Sequence, residues 1–507
     1  MGRPSSSSLR DAGAMNSFRT MRWVTAAALA SVIFSSVTTR AQAPSSGSDN
    51  NTGSDAPSYS GAISLPQAPT SQSPFTSSIP EGKVSSEMLQ ISFKDALDRA
   101  LRNNLGLLLG ADNMLAARGE KWKELSELLP NLSASATQSA TQIDLAALGF
   151  RFNFPGVSRV VGPIGTFDAR AYLKAPILNW ELIQRERGAA DNVSAAQFNY
   201  KNARELVVLA AGNEYLLTIA ASARVDAAQA QVDTSHALYN KAHDQQTAGT
   251  IPAIDALRAQ VELQMRQQQL IGARNSYAKQ KLLLAKTIGL PPGQEFNLTE
   301  KAPYAPLQPM SIESALDQAY AQRPDYLAAM QQVRSAQKFR HAATAEHLPN
   351  LSLNGDYGAA GINVGQSHGV FDVGATLTIP IFAGGRAKSD ELKAEATLRQ
   401  SQQQLDSLRT QIDYDVRAAL LDLESAAEEV RVAQSVLDLA NQTLDQARDR
   451  FSAGVSDNLE VVQAQDAVAS ANENYIAALY AHNVAKVSLA RAIGFAEQGV
   501  RQYLESR

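Results

Sequence analysis

Six histidines, His236, His243, His341, His347, His368 and His482, are the first candidates for metal or proton chemistry, and no cysteine accompanies them anywhere in the 507 residues. None falls at a metal-ligand spacing with carboxylates. His236 and His243 stand seven residues apart, on one face of a helix, where a solvated stripe is the simpler reading. Without cysteine there is no disulfide, no thiol nucleophile and no Cys-ligated metal, and a lipid anchor on an N-terminal Cys is not expected. Gly384-Gly385 reads as a strand-to-helix turn, not as a loop that cradles phosphate, and no nucleophile motif is present. A net charge of −4 provides no basic field for nucleic acid. The residues therefore point away from catalysis, and no cofactor or resident metal is expected.

The elements that would position these residues explain the chain better than its reactive groups do. Arg19 and Arg22 precede an apolar stretch from Trp23 to Val37, and Ala41-Gln42-Ala43 then offers small residues at signal-peptidase spacing, so residues 1–43 read as a cleavable export signal. The apolar stretch is shorter than the roughly 20 residues a spanning helix needs, and no later segment reads as one. Residues 44–90, rich in Ser, Pro, Gly and Thr, read as a disordered leader.

The rest is a duplication. Residues 91–133 align without gaps to 310–352, Leu129-Pro130-Asn131-Leu132-Ser133 meeting Leu348-Pro349-Asn350-Leu351-Ser352. Further on, Ala248-Gly249 matches Ala453-Gly454 and Ile288-Gly289 matches Ile493-Gly494 at a shorter offset, and the difference is placed in the longer 144–166 segment of the first copy. The repeats are bounded at 91–289 and 311–494, with a connector at 290–310 and a tail at 495–507.

Each copy reads helix, strand, loop, strand, very long helix, turn, helix. The strands alternate with period two: Phe167, Ala169, Ala171, Leu173, Ala175 and Ile177 against Asp168, Arg170, Tyr172 and Lys174, and likewise Phe371 to Ile381. A half-buried soluble sheet would alternate in the same way. The long helices are more telling. From Arg386 to Ala453 there is no Gly or Pro, and Ile412, Val416, Ala419, Leu423, Ala426, Val430, Ala433, Leu437, Ala440, Leu444, Ala447 and Phe451 step by four and three, the 3.5-residue repeat of a left-handed coiled coil. The first copy keeps a looser seam from Val207 to Tyr239, with Glu214 and Gln246 interrupting. A helix from 385 to 451 is about 100 Å long. From the turn near Gly249 the chain must climb back to the strand at 351 by two helices, 253–288 and 311–347, whose summed rise is about 110 Å. Four strands cannot close a membrane barrel, because such barrels begin at about eight and an open edge cannot be left in lipid. Oligomerisation is therefore required, and a trimer gives a more usable lumen than a dimer.

The duplicated pattern, the two Leu-Pro-Asn-Leu-Ser strand entries, Pro380-Ile381-Phe382-Ala383-Gly384-Gly385-Arg386 and the run from Phe451 to Gln465 together resemble the TolC-like outer-membrane efflux proteins over about 91–494. The resemblance implies a mainly α fold with a transmembrane β-barrel, assembled as a homotrimer with a twelve-stranded barrel in outer-membrane lipid and a long α-helical periplasmic tunnel. It implies a passive exit duct of a tripartite efflux or type I secretion system, partnered by a periplasmic adaptor (membrane fusion) protein and an inner-membrane pump. The alternative is a soluble periplasmic coiled-coil adaptor or structural protein. By resemblance the tip turns carry the adaptor contact, at Gly249 and Thr250 and at Gly454 and Val455. The two glycines also read simply as helix C-caps. The gate maps onto Asp255, Phe451, Ser456 and Glu460, but Ser456 stands where the family has a basic residue and Phe451 lacks a hydroxyl, so a charged latch does not carry over whole. Glu460 falls where the family places an acidic ring. It also sits three residues after Asp457, the spacing of a capping box.

Overall fold

The computed structural model describes residues 74–149, 159–300, 310–456 and 458–499. The export signal, the leader before 74, positions 301–309 of the connector, Asp457 and the end of the tail lie outside the described residues. Each copy opens with a pair of short helices. In the first they are α1 (Phe93–Asn103) and α2 (Leu105–Ser126), and in the second α5 (Ile312–Gln322) and α6 (Pro324–Ala345). Ser92 caps α1 in a capping box with Asp95, and Ser311 accepts from the Ser314 amide to start α5.

The single helix expected over 311–347 is therefore broken, and so is its counterpart. The break falls at Arg323, extended at φ −60° and ψ 115°, because the residue before a proline is pushed out of the α region. In the first copy it falls at the equivalent Asn104, extended at φ −69° and ψ 129°, whose side-chain oxygen caps α2 through the Gly106 amide at 2.9 Å.

Two antiparallel hairpins follow these helix pairs: β2 (Asn131–Asp144) with β3 (Val160–Leu178), and β5 (Asn350–Gly361) with β6 (Ser367–Thr378). They join into one sheet in the order β2-β3-β5-β6. The connection Leu145–Arg159 is much longer than its counterpart at 362–366, which is where the change of offset was placed. Then come α3 (Trp180–Thr247, 68 residues) with α4 (Ala253–Ile288), and α7 (Arg386–Ser452, 67 residues) with α8 (Asn458–Ala492). Each long helix rises about 100 Å. The seam read along α7 is buried or half-buried at every position. Glu214, which interrupts the seam of α3, is half-buried and accepts from Gln280 of α4 at 2.5 Å.

One apolar window of α3 has the length and hydropathy of a spanning helix, contrary to the sequence reading. More than half of that window is buried inside the protein, as in a core helix. The leader expectation also needs correction. Two parts of residues 74–91 are tied into the fold: the Ser78 and Ile79 amides donate to Lys286 and Asn103 carbonyls at 3.1 and 2.8 Å, and β1 (Leu89–Ile91) pairs in parallel with β4 (Phe296–Leu298) of the connector. Their apolar side chains, Ile91 and Phe296, enter the core around Leu97, Tyr215 and Ile288. Low apolar content along 44–90 hid this, because the residues buried within it, Thr76 and Ser78, are polar.

Candidate functional site: the sheet, the waist and the tips

The four strands put their side chains in common rows. Leu132, Leu173, Gly355 and Val373 lie in one row, and Ala134, Ala171, Tyr357 and Phe371 in the next, all on one face. Leu351 and Leu377, and Leu353 and Ala375, continue that face. It is apolar on every strand and open to the surroundings: Phe371 is 77 % exposed, Val373 70 % and Leu377 60 %. A soluble sheet would bury such a face against a second layer. The opposite face carries Ser133, Ser135, Asp168, Arg170, Tyr172, Lys174, Asn354, Asp356, Asp372 and Thr376. One apolar and one polar face, shared by all four strands, is the pattern of a membrane barrel wall.

At the waist, where the short helices break, sits a charged joint that the sequence reading missed. Arg323 donates to Asp325 at 2.9 Å and to Asp415 of α7 at 3.0 Å. Arg491 of α8 reaches Asn202 at 2.6 Å, Glu205 at 3.3 Å and Asp325 at 3.4 Å, and Arg204 meets Glu497. Burial pushes the Glu205 carboxyl up to about 7 against the pull of Arg491. Pro324 was the one available signal, since it places a helix break here. The partners are scattered from 202 to 497, and no local pattern joins them.

At the far end the chain turns at Gly249 and Gly454. Both glycines are left-handed, at φ 75° and 70°. The Gly249 amide donates to Gln246 and the Thr250 amide to Gln245, and the Gly454 and Val455 amides donate to Phe451 and Arg450 in the same way. These are Schellman C-caps, which require positive φ at the glycine. A Cβ at either glycine would meet nothing within 4 Å, so these glycines serve the turn and not a close approach. Val455, Ile254, Leu257, Val261 and Leu459 are exposed around the tips. Five of the seven residues lining a groove of about 370 Å³ between the starts of α4 and α8 are apolar: Ile254, Leu257, Val261, Leu459 and Val462.

The proposed gate residues are not gathered at one point. Asp255 pairs with Arg258 in the first turn of α4 at 3.4 Å. Glu460 pairs with Arg450 across the second turn at 3.1 Å, while its capping partner Asp457 lies outside the described residues. Phe451 is 7 % exposed and packs among Leu238, Leu444, Ala447 and Val461, with the Lys241 ammonium 5.7 Å from its ring. It closes the coiled-coil core of its own chain. Ser456, beyond the Gly454 turn, is partly buried. His236 and His243 are both exposed on α3, and among the described residues no group of three His, Asp or Glu is placed to hold a metal ion.

Residues 315–495 match the family described as outer membrane efflux protein. The match falls on the second repeat of the chain. It is similar to the alkaline protease secretion protein AprF of Pseudomonas aeruginosa, 22 % identical over 71 % of this chain and 76 % of that one. It is also similar to the outer membrane protein OprJ of the same organism, 24 % identical over 78 % and 83 %. Among solved structures, the CmeC outer membrane channel of Campylobacter jejuni superposes with a TM-score of 0.68 at 18 % identity, covering 86 % of this chain and 94 % of that one. The chain is an outer-membrane channel protein of the kind used in efflux and secretion. The soluble coiled-coil alternative gives way to that localisation and to the common apolar face of the sheet.

Proposed function

We propose that three copies of the chain close head to tail into one passive duct, with the sheet in the outer membrane and the helical tips meeting a periplasmic adaptor that couples the duct to an inner-membrane pump. The observation that carries this reading is the identity of the free edges. In the sheet the order is β2-β3-β5-β6. In the upper helical layer the packing neighbours run α2, α3, α6, α7, and in the lower one α4, α3, α8, α7. At every level one edge comes from the first repeat and the other from the second, so one rotation can close all three layers at once.

The edges also carry unspent apolar surface. Leu115 and Trp122 are exposed on α2, Val261 and Met265 on α4, and Tyr414, Leu421 and Leu439 on α7. An open β edge cannot stand in lipid, so β2 and β6 must each find a strand. Three copies of a four-stranded sheet supply a wall wide enough for a lumen, whereas two give a barrel of about eight strands, filled by side chains. A duct of this kind performs no covalent chemistry, and the polar face of the sheet would line the passage.

The chain has no cysteine, so introduced pairs cross-link cleanly. Cysteine pairs, one scanned along β2 and one along β6 of the same chain, are expected to give covalent dimers and trimers and nothing larger in outer-membrane preparations. A ladder that stops at dimers, or one that continues past trimers, overturns the three-fold reading. The choice among small toxic molecules, polypeptides and metal ions as cargo is tested by deleting the chain and measuring which of them accumulates in the periplasm.

A further inference from the structure

The polar face of the sheet carries one arrangement that the duct reading leaves unused. Arg170 lies on β3 and forms ion pairs with Asp168 on its own strand at 2.6 Å and with Asp356 on β5 at 3.3 Å. Asp356 stands directly opposite Asp372 of β6, in the row that also holds Tyr172. Like charges facing each other across adjacent strands destabilise a sheet, so this pair is a cost that the fold alone does not explain. Arg170 reaches one of the two carboxylates.

The room for this bridge is built into the backbone. Gly358 is the register partner of Arg170, and a Cβ there would stand 2.6 Å from the Arg170 Cα and 2.8 Å from its Cγ. A larger residue would force the strands apart or lift the guanidinium off Asp356. Three carboxylates and one guanidinium thus share two turns of the pleat, with Lys174 one row further along.

We propose that this cluster sets the charge preference of the passage, Arg170 acting as the fixed counter-charge that holds an otherwise strongly acidic wall to a mild preference for cations. The proposal rests on the reading that the polar face lines the lumen. Wall charges act on passing ions over about a Debye length, roughly 8 Å at physiological salt, so three symmetry-related clusters lie within reach of an ion crossing that level. Removing the guanidinium leaves the carboxylates uncompensated. Removing Asp372 takes away the carboxylate that Arg170 does not bridge.

The test is the reversal potential of purified oligomers in a planar bilayer under a potassium chloride gradient, for wild type, Arg170→Gln, Arg170→Lys and Asp372→Asn. Arg170→Gln is expected to raise the cation-to-anion permeability ratio about twofold or more, and Asp372→Asn to lower it by a similar factor. Arg170→Lys keeps the charge without the two-armed bridge and is expected to stay near wild type in selectivity, even if its oligomers are less heat-resistant. If the ratio is the same in all four proteins at equal conductance, the cluster does not set selectivity. If Arg170→Lys shifts the ratio as far as Arg170→Gln, the bridge matters through geometry and the counter-charge proposal falls. If wild type itself forms no conducting oligomer, the barrel reading fails first.

Discussion

Gly494 lies against the backbone of Arg323: a Cβ on the glycine would stand 2.6 Å from the Arg323 nitrogen and 2.7 Å from its Cα. The glycine ends α8 at φ 76°, and Arg323 is the residue at which α5 breaks from α6. The end of one repeat is thereby wedged into its own beginning, with the ion pairs of Arg323 and Arg491 packed around the contact. Gly494→Ala should cost about 1–3 kcal/mol from the left-handed backbone alone, and more from the clash. The expected outcome is a lower melting temperature and faster proteolysis near Arg323, and an unchanged melting temperature would show that the joint can move apart freely.

The sheet offers a paired test of its two faces. Leu377 belongs to the apolar face and Thr376 to the polar one. Leu377→Arg should cost about 2–4 kcal/mol if the residue is near the membrane midplane, whereas Thr376→Arg should be tolerated. Yield of heat-resistant oligomers in the outer membrane is the readout. Equal yields for the two variants would remove the assignment of faces.

At the tips, Gly249→Leu and Gly454→Leu place a side chain where nothing stands within 4 Å, so only the left-handed backbone resists them, at about 1–2 kcal/mol each. Folding and membrane insertion should survive. Under the proposed adaptor contact, export in cells should be lost. Retained export would leave these glycines as turn residues alone.

Glu205 links stability to pH. Its carboxyl is raised from 4.5 to about 7, first by burial, with Asp325 and Glu497 adding to the shift and Arg491 and Arg323 opposing it. Between those values the folded chain holds a proton that the unfolded chain has released. The contribution to stability is therefore full below about pH 4.5 and is lost as pH rises through 7. Buried His482 works the other way: its pKa is lowered from 6.5 to about 4 by burial and by Lys486, so its contribution is lost as pH falls through that window. The difference between wild type and Glu205→Gln isolates the first effect. Hydrogen exchange at the waist, corrected for intrinsic rates, should show protection in wild type declining from pH 5 to 7.5 more steeply than in the variant, and parallel profiles would return Glu205 to an ordinary ion pair.

The duplication, the two long helices, the period-two strands and the glycine caps were all legible in the sequence. Each is written in local spacing: the seam from Ile412 to Phe451 repeats every few residues, the strands alternate, and Gly249 and Gly454 sit where a helix must end. The break at Arg323 was also written there, in Pro324, but the continuous apolar pattern on both sides of it reads as one helix. Local spacing could not show that Asn202, Glu205, Asp325, Asp415 and Arg491 converge, because an ion-pair network depends on which helices become neighbours. Nor could it reveal that Arg170 reaches Asp356 across a strand boundary, since register is decided by strand pairing and shifting it by one residue exchanges the faces. Phe451 shows the same division: its heptad position marked it as core, resemblance marked it as gate, and tertiary packing seats it among Leu238, Leu444 and Val461. Periodicity fixes which side of an element is apolar, and only the assembled fold decides what that side meets.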